Sequence, residues 1–338
     1  MLYLLKKKIN RKLKEFRENY QHVRFYNGTE EVLFLSLKRN TKVRTYLNLI
    51  FRLQQQYQQP VVIEFSLFRY FVLVKWFKEL DFIYFSKPFQ KPKIYRLFSH
   101  QKNADFRVSF NYKTVYSTDE YVKEAVPYIM HPRNYLIPEP SLLDKKVGIV
   151  MSGNFEAKIY DSDVITKNFQ LLNRWQIYSE IIKHKAVVTI IGTEFKEQLA
   201  SSIYKNSFVV MKWQQGAIPS EEWRHYLSSA KFLFCAPGMT MPMCHNVIEA
   251  MSVGVVPIIN YQNWLNPSLV DEKNALLYQS EAIISQVIDK ALQMNDSEYF
   301  ELQKNVIAYY ESYYKNYDFE ANRFQPLILL NEDSKDLV

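Results

Sequence analysis

Glycine and cysteine are both scarce in this chain, and each scarcity restricts what the protein can be. Of its 338 residues, 7 are glycine and only 2, Cys235 and Cys244, are cysteine. Two cysteines are too few for a disulfide framework and lack the spacing of a metal site, so we expect a reducing, cytoplasmic setting. All the glycines except Gly28 lie from Gly148 to Gly254, which predicts that the tight turns concentrate in the second half.

Long apolar runs are also missing. The most apolar stretch, Leu67–Leu80, contains three basic residues and is shorter than the ~20 residues that a transmembrane helix needs. The first 20 residues have no sustained apolar core and no small-residue cleavage site, so we expect no signal peptide. With 48% hydrophobic and 23% charged residues the composition is globular, and the length suits roughly two domains.

Positive charge exceeds negative charge, with a formal net charge of +8 and a pI of about 9.1. Such a balance favours anionic partners. In Met1–Tyr20, apolar residues recur at helical spacing among many basic ones. This segment is either a helix lying on an anionic membrane surface, at the inner face, or an amphipathic helix that packs on the fold. Nucleic-acid binding is not expected, because no recognised motif accompanies the charge and the aromatic residues follow core spacing.

The first part of the chain alternates strand-like and helix-like segments. Buried-strand runs occur at Val32–Leu37, Val61–Phe65 and Phe82–Phe85, and Thr41–Gln58 between the first two has helical periodicity. This spacing predicts a parallel α/β domain. Prolines break the periodicity around Met130–Lys146. We therefore expect an N-terminal domain over residues 1–135, a second domain over 146–318, and a helix or tail over 319–338.

The second domain has the clearest pattern, an alternation of strands and helices that predicts an open, doubly wound parallel sheet. The predicted strands are Val147–Met151, Val187–Ile191, Phe208–Met211, Phe232–Cys235 and Val255–Ile259. The predicted helices are Lys167–His184, Lys196–Tyr204, Ser220–Ala230, Met243–Val253 and two or three more between Glu281 and Asn322.

Ligands of such sheets bind beyond the carboxyl ends of the strands, so four loops are candidates. They are Ser152–Asn154, Gly192–Glu194, Lys212–Pro219 and Ala236–His245. The first and last place glycine beside a helix start, where backbone N–H groups and the helix dipole attract an anion such as a diphosphate. The alternative is that Gly153 and Gly192 only form tight turns. Trp213 is either a platform for a base or a cover over the sheet end.

The helix predicted over Met243–Val253 carries polar side chains on an otherwise apolar segment. His245 and Glu249 are one turn apart, so both can point toward the same cleft. A carboxylate is suited to accept hydrogen bonds from a ribose or sugar diol. His245 can bind a phosphate, either as a cation or as a neutral hydrogen-bond donor.

A family resemblance is found at these residues. The sequence FLFCAPG of Phe232–Gly238, a polar residue three before Glu249-Ala250, GVVPI of Gly254–Ile258 and WLNP of Trp264–Pro267 resemble exostosin-type glycosyltransferases. The shorter core NVIEAMSVGVVPI resembles the larger family of bacterial GT-B glycosyltransferases. The resemblance covers about residues 148–292 and barely touches the first half.

The resemblance implies an α/β GT-B fold, with two facing Rossmann-like domains that have parallel sheets. It implies that the second domain holds a nucleotide-sugar donor, that the first holds a glycan or lipid-linked glycan acceptor, and that transfer needs no metal and no further cofactor. The donor-binding candidates are Ser152, Gly153, Asn154, Arg174, Gly192, Thr193, Trp213, Gly238, His245, Asn246 and Glu249.

Two departures from the family pattern shape the mechanism that we expect. Asn246 stands where exostosin-type members often carry arginine, so Arg174 is our candidate for neutralising phosphate. Met241 stands where many retaining enzymes have a second glutamate, which favours an inverting reaction. An inverting transfer needs a general base, for which Glu64 and His131 are candidates. The departures also allow an alternative, a non-catalytic GT-B-like protein that binds a nucleotide or glycan.

Overall fold

The computed structural model divides into two compact units, residues 1–113 with 318–329 and residues 114–317 with 330–338. The structure describes residues 2–37, 43–109, 125–126, 130, 134, 139–199, 203–213, 216, 218–239, 241–265, 267–316, 318, 320 and 327–329. The first unit thus ends earlier than the boundary expected near residue 135, and the chain returns to it near its end.

The first unit is built around a parallel sheet. Its helices are α1 (Leu2–Tyr20), α2 (Val43–Tyr57) and α3 (Leu67–Leu73), the last followed by a 3-10 turn, Val74–Lys78. Its strands are β1 (Val32–Ser36), β2 (Val61–Ile63), β3 (Ile83–Phe85), β4 (Tyr95–Ser99), β5 (Phe106–Ser109) and β13 (Leu327–Leu329). They lie in the order β3-β2-β1-β4-β5-β13, and every neighbouring pair is parallel.

One strand of this unit agrees with its sequence prediction and another does not. All five residues of β1 are buried, as expected of a strand in a parallel sheet with both faces covered. Strand β13 differs from the helix or tail expected over residues 319–338. Its residues, Leu-Ile-Leu, pair in parallel with β5 at Val108 and Ser109, because the open edge of β5 offers hydrogen-bonding groups to an apolar segment.

The second unit contains a six-stranded parallel sheet. Its strands are β7 (Val147–Gly153), β8 (Val187–Ile190), β9 (Phe208–Lys212), β10 (Ala230–Cys235), β11 (Val256–Ile259) and β12 (Leu276–Leu277). The short strand β6 (Ala125–Val126) precedes β7 in the chain. The six strands lie in the order β12-β11-β10-β7-β9-β8, with parallel pairing throughout. The doubly wound parallel sheet predicted from the sequence is confirmed.

Helices connect these strands, and a further pair closes the unit. They are α4 (Ala157–Tyr160), α5 (Asp163–Phe169), α6 (Arg174–Ile181), α7 (Gly192–Gln198), α8 (Ser220–Leu227), α9 (His245–Ser252), α10 (Glu281–Gln293) and α11 (Asp296–Tyr310). A 3-10 turn, Gln262–Trp264, follows β11, and a π-helical turn, Glu311–Lys315, continues α11. No helix in the described part of the chain is long and apolar enough to cross a membrane.

Three local predictions for this unit are wrong. The helix predicted over Lys196–Tyr204 begins at Gly192 and ends at Gln198. The single helix expected over Lys167–His184 is split into α5 and α6, because Gln170 adopts the left-handed conformation (φ 56°) and Asn173 starts a new helix. The side chain of Asn173 accepts a hydrogen bond from the backbone of Gln176, and the Gln176 side chain accepts one in return, a capping box. Strand β7 also extends through Gly153, where a turn was expected from Ser152 onward.

Candidate functional site

The topology of the second sheet points to one crevice. Strands β7 and β10 are neighbours, but the chain proceeds from β7 toward β8 and β9 on one side and from β10 toward β11 and β12 on the other. Such a switch of direction opens a crevice at the carboxyl ends of the two strands, where ligands of doubly wound sheets bind. Gly153 ends β7, and Ala236 follows β10.

Arg174 lies at this switch point. Its Nε donates a hydrogen bond to the carbonyl oxygen of Pro237 at 3.0 Å, and its guanidinium carbon lies 4.3 Å from the ring centroid of Tyr160. A Cβ placed on Gly153 would be 3.6 Å from Arg174 Nη1. Arg174 therefore joins the loop after β7 to the loop after β10. No carboxylate within the described ranges forms an ion pair with its guanidinium.

A second cation, Lys212, lies next to Gly153. It is the last residue of β9 and is in register with Gly153 across the parallel pair. Its Nζ lies 5.4 Å from the ring centroid of Tyr178, and that ring stacks on Phe155 at 4.9 Å. Lys212 belongs to a loop that the sequence pattern indicates as a ligand site, but the pattern assigns no role to the lysine itself. Its position at the end of a central strand, one residue before Trp213, is the signal that could have identified it.

Cys244 occupies the N-cap position of α9 without a side-chain capping hydrogen bond, and its thiol lies near the same arginine. Its Sγ lies 3.8 Å from Arg174 Nη2 and 3.6 Å from His245 Nδ1. Burial raises the pKa of the Cys244 thiol, but the hydrogen bond and charge of His245, together with the charge of Arg174, outweigh it, so that the pKa lies below its ordinary value. The site therefore favours negative charge at this point. The sequence pattern indicates a binding role for His245 but none for Cys244.

Tyr261 adds a polar group to the crevice. It is buried beyond the carboxyl end of β11, and its hydroxyl has no hydrogen-bond partner among the described residues. Burial raises the pKa of Tyr261 well above its ordinary value, the Cys235 and Cys244 thiols raise it further, and Arg174 lowers it. The Asn246 Oδ1 atom at the start of α9 is also buried without a partner in the part of the chain described. Buried polar atoms normally find a partner, so this region is suited to a polar ligand.

Gly238 has a structural role in the turn that follows β10. Its N–H donates to the carbonyl oxygen of Pro242 at 3.1 Å. A Cβ at this position would lie 2.6 Å from the carbonyl oxygen of Met241, so only glycine fits. The Gly238 N–H is thus used within the turn in this conformation, and its role toward a phosphate stays a prediction.

The remaining loop candidates lie around the crevice or away from it. Ser152 and Gly153 complete β7, and the Asn154 side chain accepts a hydrogen bond from the backbone of Glu156 at 2.9 Å. Gly192 N–H donates to the carbonyl oxygen of Gly216 at 2.8 Å, which joins the start of α7 to the loop after β9. Thr193 and Trp213 are exposed. No contact in the described structure joins Gly192, Thr193 or Trp213 to Arg174.

Glu249 faces the interior of the second unit. Its side chain is 2% exposed, and its Oε1 accepts a hydrogen bond from Asn134 Nδ2 at 2.9 Å. The carbonyl oxygen of Asn134 accepts in turn from Arg224 Nη2 at 3.2 Å. Glu249 thus forms a buried hydrogen bond inside the second unit, and its role toward a ribose stays a prediction.

Of the two candidates for a general base, Glu64 lies in the first unit and His131 lies outside the described residues. Glu64 follows β2, and its Oε2 accepts hydrogen bonds from Arg69 Nη1 at 2.7 Å and from Ser36 Oγ at 3.0 Å. The Arg69 guanidinium, itself buried, also donates to the Leu37 carbonyl oxygen. The carboxylate is therefore fixed at the carboxyl end of the first sheet while its side chain stays partly exposed.

The crevice of the second unit combines two cations, the amino end of a helix and a buried hydroxyl without a partner. These features suit an anionic ligand with further polar groups, such as a phosphate ester. Within the described ranges, no group of three or more His, Cys, Asp or Glu side chains is arranged to hold a metal ion.

Comparison with known proteins gives structural similarities only, since no family model and no curated protein matches the chain. Similar solved structures include the C-terminal domain of a glycosyl transferase group 1 family protein (LpcC) from Francisella tularensis, with 16% identity over 52% of this chain and 89% of that one and a TM-score of 0.33. Anabaena HepE in complex with UDP-glucose has 7% identity over 87% of this chain and 97% of that one, with a TM-score of 0.45.

A third similar structure is WaaG, a glycosyltransferase involved in lipopolysaccharide biosynthesis. It has 11% identity over 89% of this chain and 76% of that one, with a TM-score of 0.35. None of these comparisons singles out the exostosin type. The two parallel-sheet α/β units of this chain agree with the fold that the sequence resemblance implies.

Proposed function

We propose that this protein is a glycosyltransferase that moves a sugar from a nucleotide-sugar donor to a glycan or lipid-linked glycan. The observation that carries the proposal is the position of Arg174. Its guanidinium lies at the switch point of the second sheet, beside Gly153 and the amino end of α9, and forms no ion pair with a described carboxylate. An arginine in such a place is suited to bind the diphosphate of a donor.

The same groups account for the chemistry that a transfer without a metal requires. When the bond between the anomeric carbon and the diphosphate oxygen breaks, negative charge develops on the leaving nucleoside diphosphate. Arg174, Lys212 and the amino end of α9 would stabilise that charge. His245 lies at the first turn of α9 and would add a hydrogen bond or a positive charge to the same phosphate.

Acceptor activation is the second requirement of the proposed reaction. In an inverting transfer, a base removes the proton of the acceptor hydroxyl while the hydroxyl oxygen bonds to the anomeric carbon. Glu64 is our candidate in the described part of the chain, because it is a partly exposed carboxylate held in position by Arg69 and Ser36. His131 is retained as the other candidate on the sequence alone.

A nucleotide screen tests the proposal directly. The purified protein is heated with UDP, GDP, CMP and the corresponding nucleotide sugars, and a ligand that binds the folded state raises the melting temperature by mass action. We expect one nucleoside diphosphate and its sugars to raise it. Release of that nucleotide from the sugar is then measured by chromatography, with and without glycan and lipid-linked acceptors. Failure of every nucleotide to shift the melting temperature would overturn the proposal.

One observation favours the alternative, a protein that binds a nucleotide without transferring the sugar. Glu249, the carboxylate expected to contact the donor ribose, is buried and bonded to Asn134. The same screen separates the two functions. A binding protein would be stabilised by the nucleotide sugar and would release no nucleotide from it with any acceptor, whereas a glycosyltransferase would release nucleotide at a rate that rises with acceptor concentration.

A further inference from the structure

Helix α1 carries most of the net positive charge of the chain. It contains seven basic residues and two acidic ones, a net charge of +5, whereas the whole chain has a formal net charge of +8. The acidic residues, Glu15 and Glu18, form ion pairs with Arg11, Lys12 and Lys14 at 3.5–3.8 Å. These pairs are exposed to solvent and therefore weak, so α1 remains a strongly cationic helix.

An apolar stripe runs along the same helix. Ile9, Leu13, Phe16 and Tyr20 follow one another at intervals of four, three and four residues, which places them on one side. The carboxyl-terminal half of this stripe packs on α3, since the ring of Phe16 lies 5.3 Å from that of Tyr70 and 5.1 Å from that of Phe71. Helix α1 is therefore held against the first unit at this end.

The other half of the stripe is open to solvent. Ile9 is 50% and Leu13 45% exposed, and on the adjoining α3 Leu67 is 68% and Phe71 49% exposed. We call these four residues the α1–α3 patch. Lys6 and Lys12 lie three residues to either side of Ile9, so they border the patch on the helix surface. Lys75 lies one turn beyond Phe71 and is also exposed.

We infer that the α1–α3 patch and the lysines that border it bind the surface of an anionic membrane. Exposed apolar side chains framed by cations fit the boundary between acyl chains and headgroups, where the apolar groups enter the lipid and the cations stay at the charged surface. The composition of the patch suits a lipid surface rather than a nucleic acid, because the residues at its centre carry aliphatic and phenyl side chains rather than charged ones. The two interpretations of α1 thus apply to its two halves.

Binding of the whole chain to lipid vesicles tests this inference. Flotation is measured with vesicles of phosphatidylcholine alone and of phosphatidylcholine with 30 mol% phosphatidylglycerol. We expect binding to the anionic vesicles only, weakened by added salt because surface charges are screened. Binding to both kinds of vesicle alike, or to neither, would overturn the inference, as would preferential binding of a single-stranded RNA oligonucleotide in competition with the anionic vesicles.

Two pairs of substitutions examine the apolar and the charged groups separately. We expect Ile9→Ser with Leu13→Ser, and Lys6→Glu with Lys12→Glu, each to weaken binding by about tenfold or more. The matched controls are Ile283→Ser and Lys183→Glu, exposed positions of the second unit, and they should bind as the parent does. If the serine pair lowers the melting temperature, the glutamate pair decides, and unchanged binding of a folded glutamate pair would contradict the inference.

Discussion

A hydrogen bond of 3.0 Å joins Arg174 Nε to the carbonyl oxygen of Pro237, across 63 residues of sequence. It connects the start of α6 with the turn that follows β10, and so fixes the guanidinium over the crevice between β7 and β10. A cation that the protein itself positions loses little conformational freedom when it binds an anion. Arg174 is therefore the first residue to substitute in a test of nucleotide binding.

Arg174→Gln should weaken nucleoside diphosphate binding by about tenfold or more, because a bidentate charged contact is lost. Arg174→Lys should recover only part of the affinity, since an ammonium group cannot make the same paired contacts. Isothermal titration calorimetry with the nucleotide found in the screen measures both. Lys183→Gln, a change of an exposed cation on the same unit, is the control. Equal affinity in the parent and both Arg174 variants would show that the phosphate does not bind in this crevice.

The sequence predicted the buried strands β1, β2, β9, β10 and β11, because parallel strands buried on both faces are short apolar runs. The end of the helix predicted over Met243–Val253 lies one residue from the end of α9 at Ser252, and the following Gly254 adopts a positive φ, +66°. These features depend on local composition. The split of the helix at Gln170 was missed, since glutamine carries no sequence signal for the left-handed conformation that it adopts here.

The site was harder to predict, because it depends on which strands are neighbours. Lys212 reaches Gly153 only through the register of β9 with β7, and a one-dimensional pattern does not contain that register. The unexpected use of the Gly238 N–H by Pro242 and the burial of Glu249 against Asn134 have the same origin. Each involves a tertiary contact or a turn geometry that motif matching does not show.

Cys244 should react with iodoacetamide faster than Cys235. The pKa of Cys244 lies below its ordinary value, whereas Cys235 is fully buried and burial raises its pKa well above. Because the thiolate is the nucleophile, the difference should be large near neutral pH. Peptide mass spectrometry after timed alkylation measures both sites in one sample, and Cys244→Ser should lack the fast phase.

Bound nucleotide should slow this alkylation, because Cys244 shares Arg174 with the proposed phosphate site. The comparison uses a saturating concentration of the nucleotide found in the screen. Inorganic sulfate at equal ionic strength serves as the control for a general salt effect. Alkylation of Cys244 at the same rate with and without the nucleotide would show that the thiol lies outside the nucleotide-binding site.

The bond between Asn134 and Glu249 should contribute measurably to stability. Removing either side chain leaves a buried polar group without its partner, which costs about 1–3 kcal/mol. Urea unfolding of Asn134→Ala, Glu249→Ala and the double variant gives the coupling energy, which we expect to be favourable. Additive effects of the two single changes would show that the contact adds nothing to stability.

Glu249→Gln separates stability from donor binding at the same position. Glutamine keeps the size of the side chain and an oxygen that can accept from Asn134, so we expect most of the stability to remain. If Glu249 also accepts a hydrogen bond from the donor ribose, the variant should bind the nucleotide more weakly while unfolding at a similar urea concentration. Full affinity in this variant would limit Glu249 to its structural contact.

Stability should rise with pH above neutrality because of Lys145. Burial lowers the pKa of this lysine from 10.5 to about 7, and its Nζ donates to the carbonyl oxygens of Ser228 at 2.8 Å and Gly254 at 3.3 Å. Between these two pKa values the unfolded chain holds a proton that the folded chain does not. The free energy of unfolding therefore increases as the pH rises from about 7 toward 10.5, by at most about 1.4 kcal/mol for each pH unit.

Lys145→Met tests this assignment, since methionine keeps an unbranched apolar side chain and does not titrate. Other groups also titrate between pH 7 and 9.5, so the informative quantity is the difference in unfolding free energy between parent and variant at each pH. We expect methionine to be most favourable relative to lysine at pH 7 and its advantage to shrink as the pH rises. A difference that stays constant across this range would mean that the two carbonyl oxygens hold Lys145 protonated in the folded protein, and that burial does not control its charge.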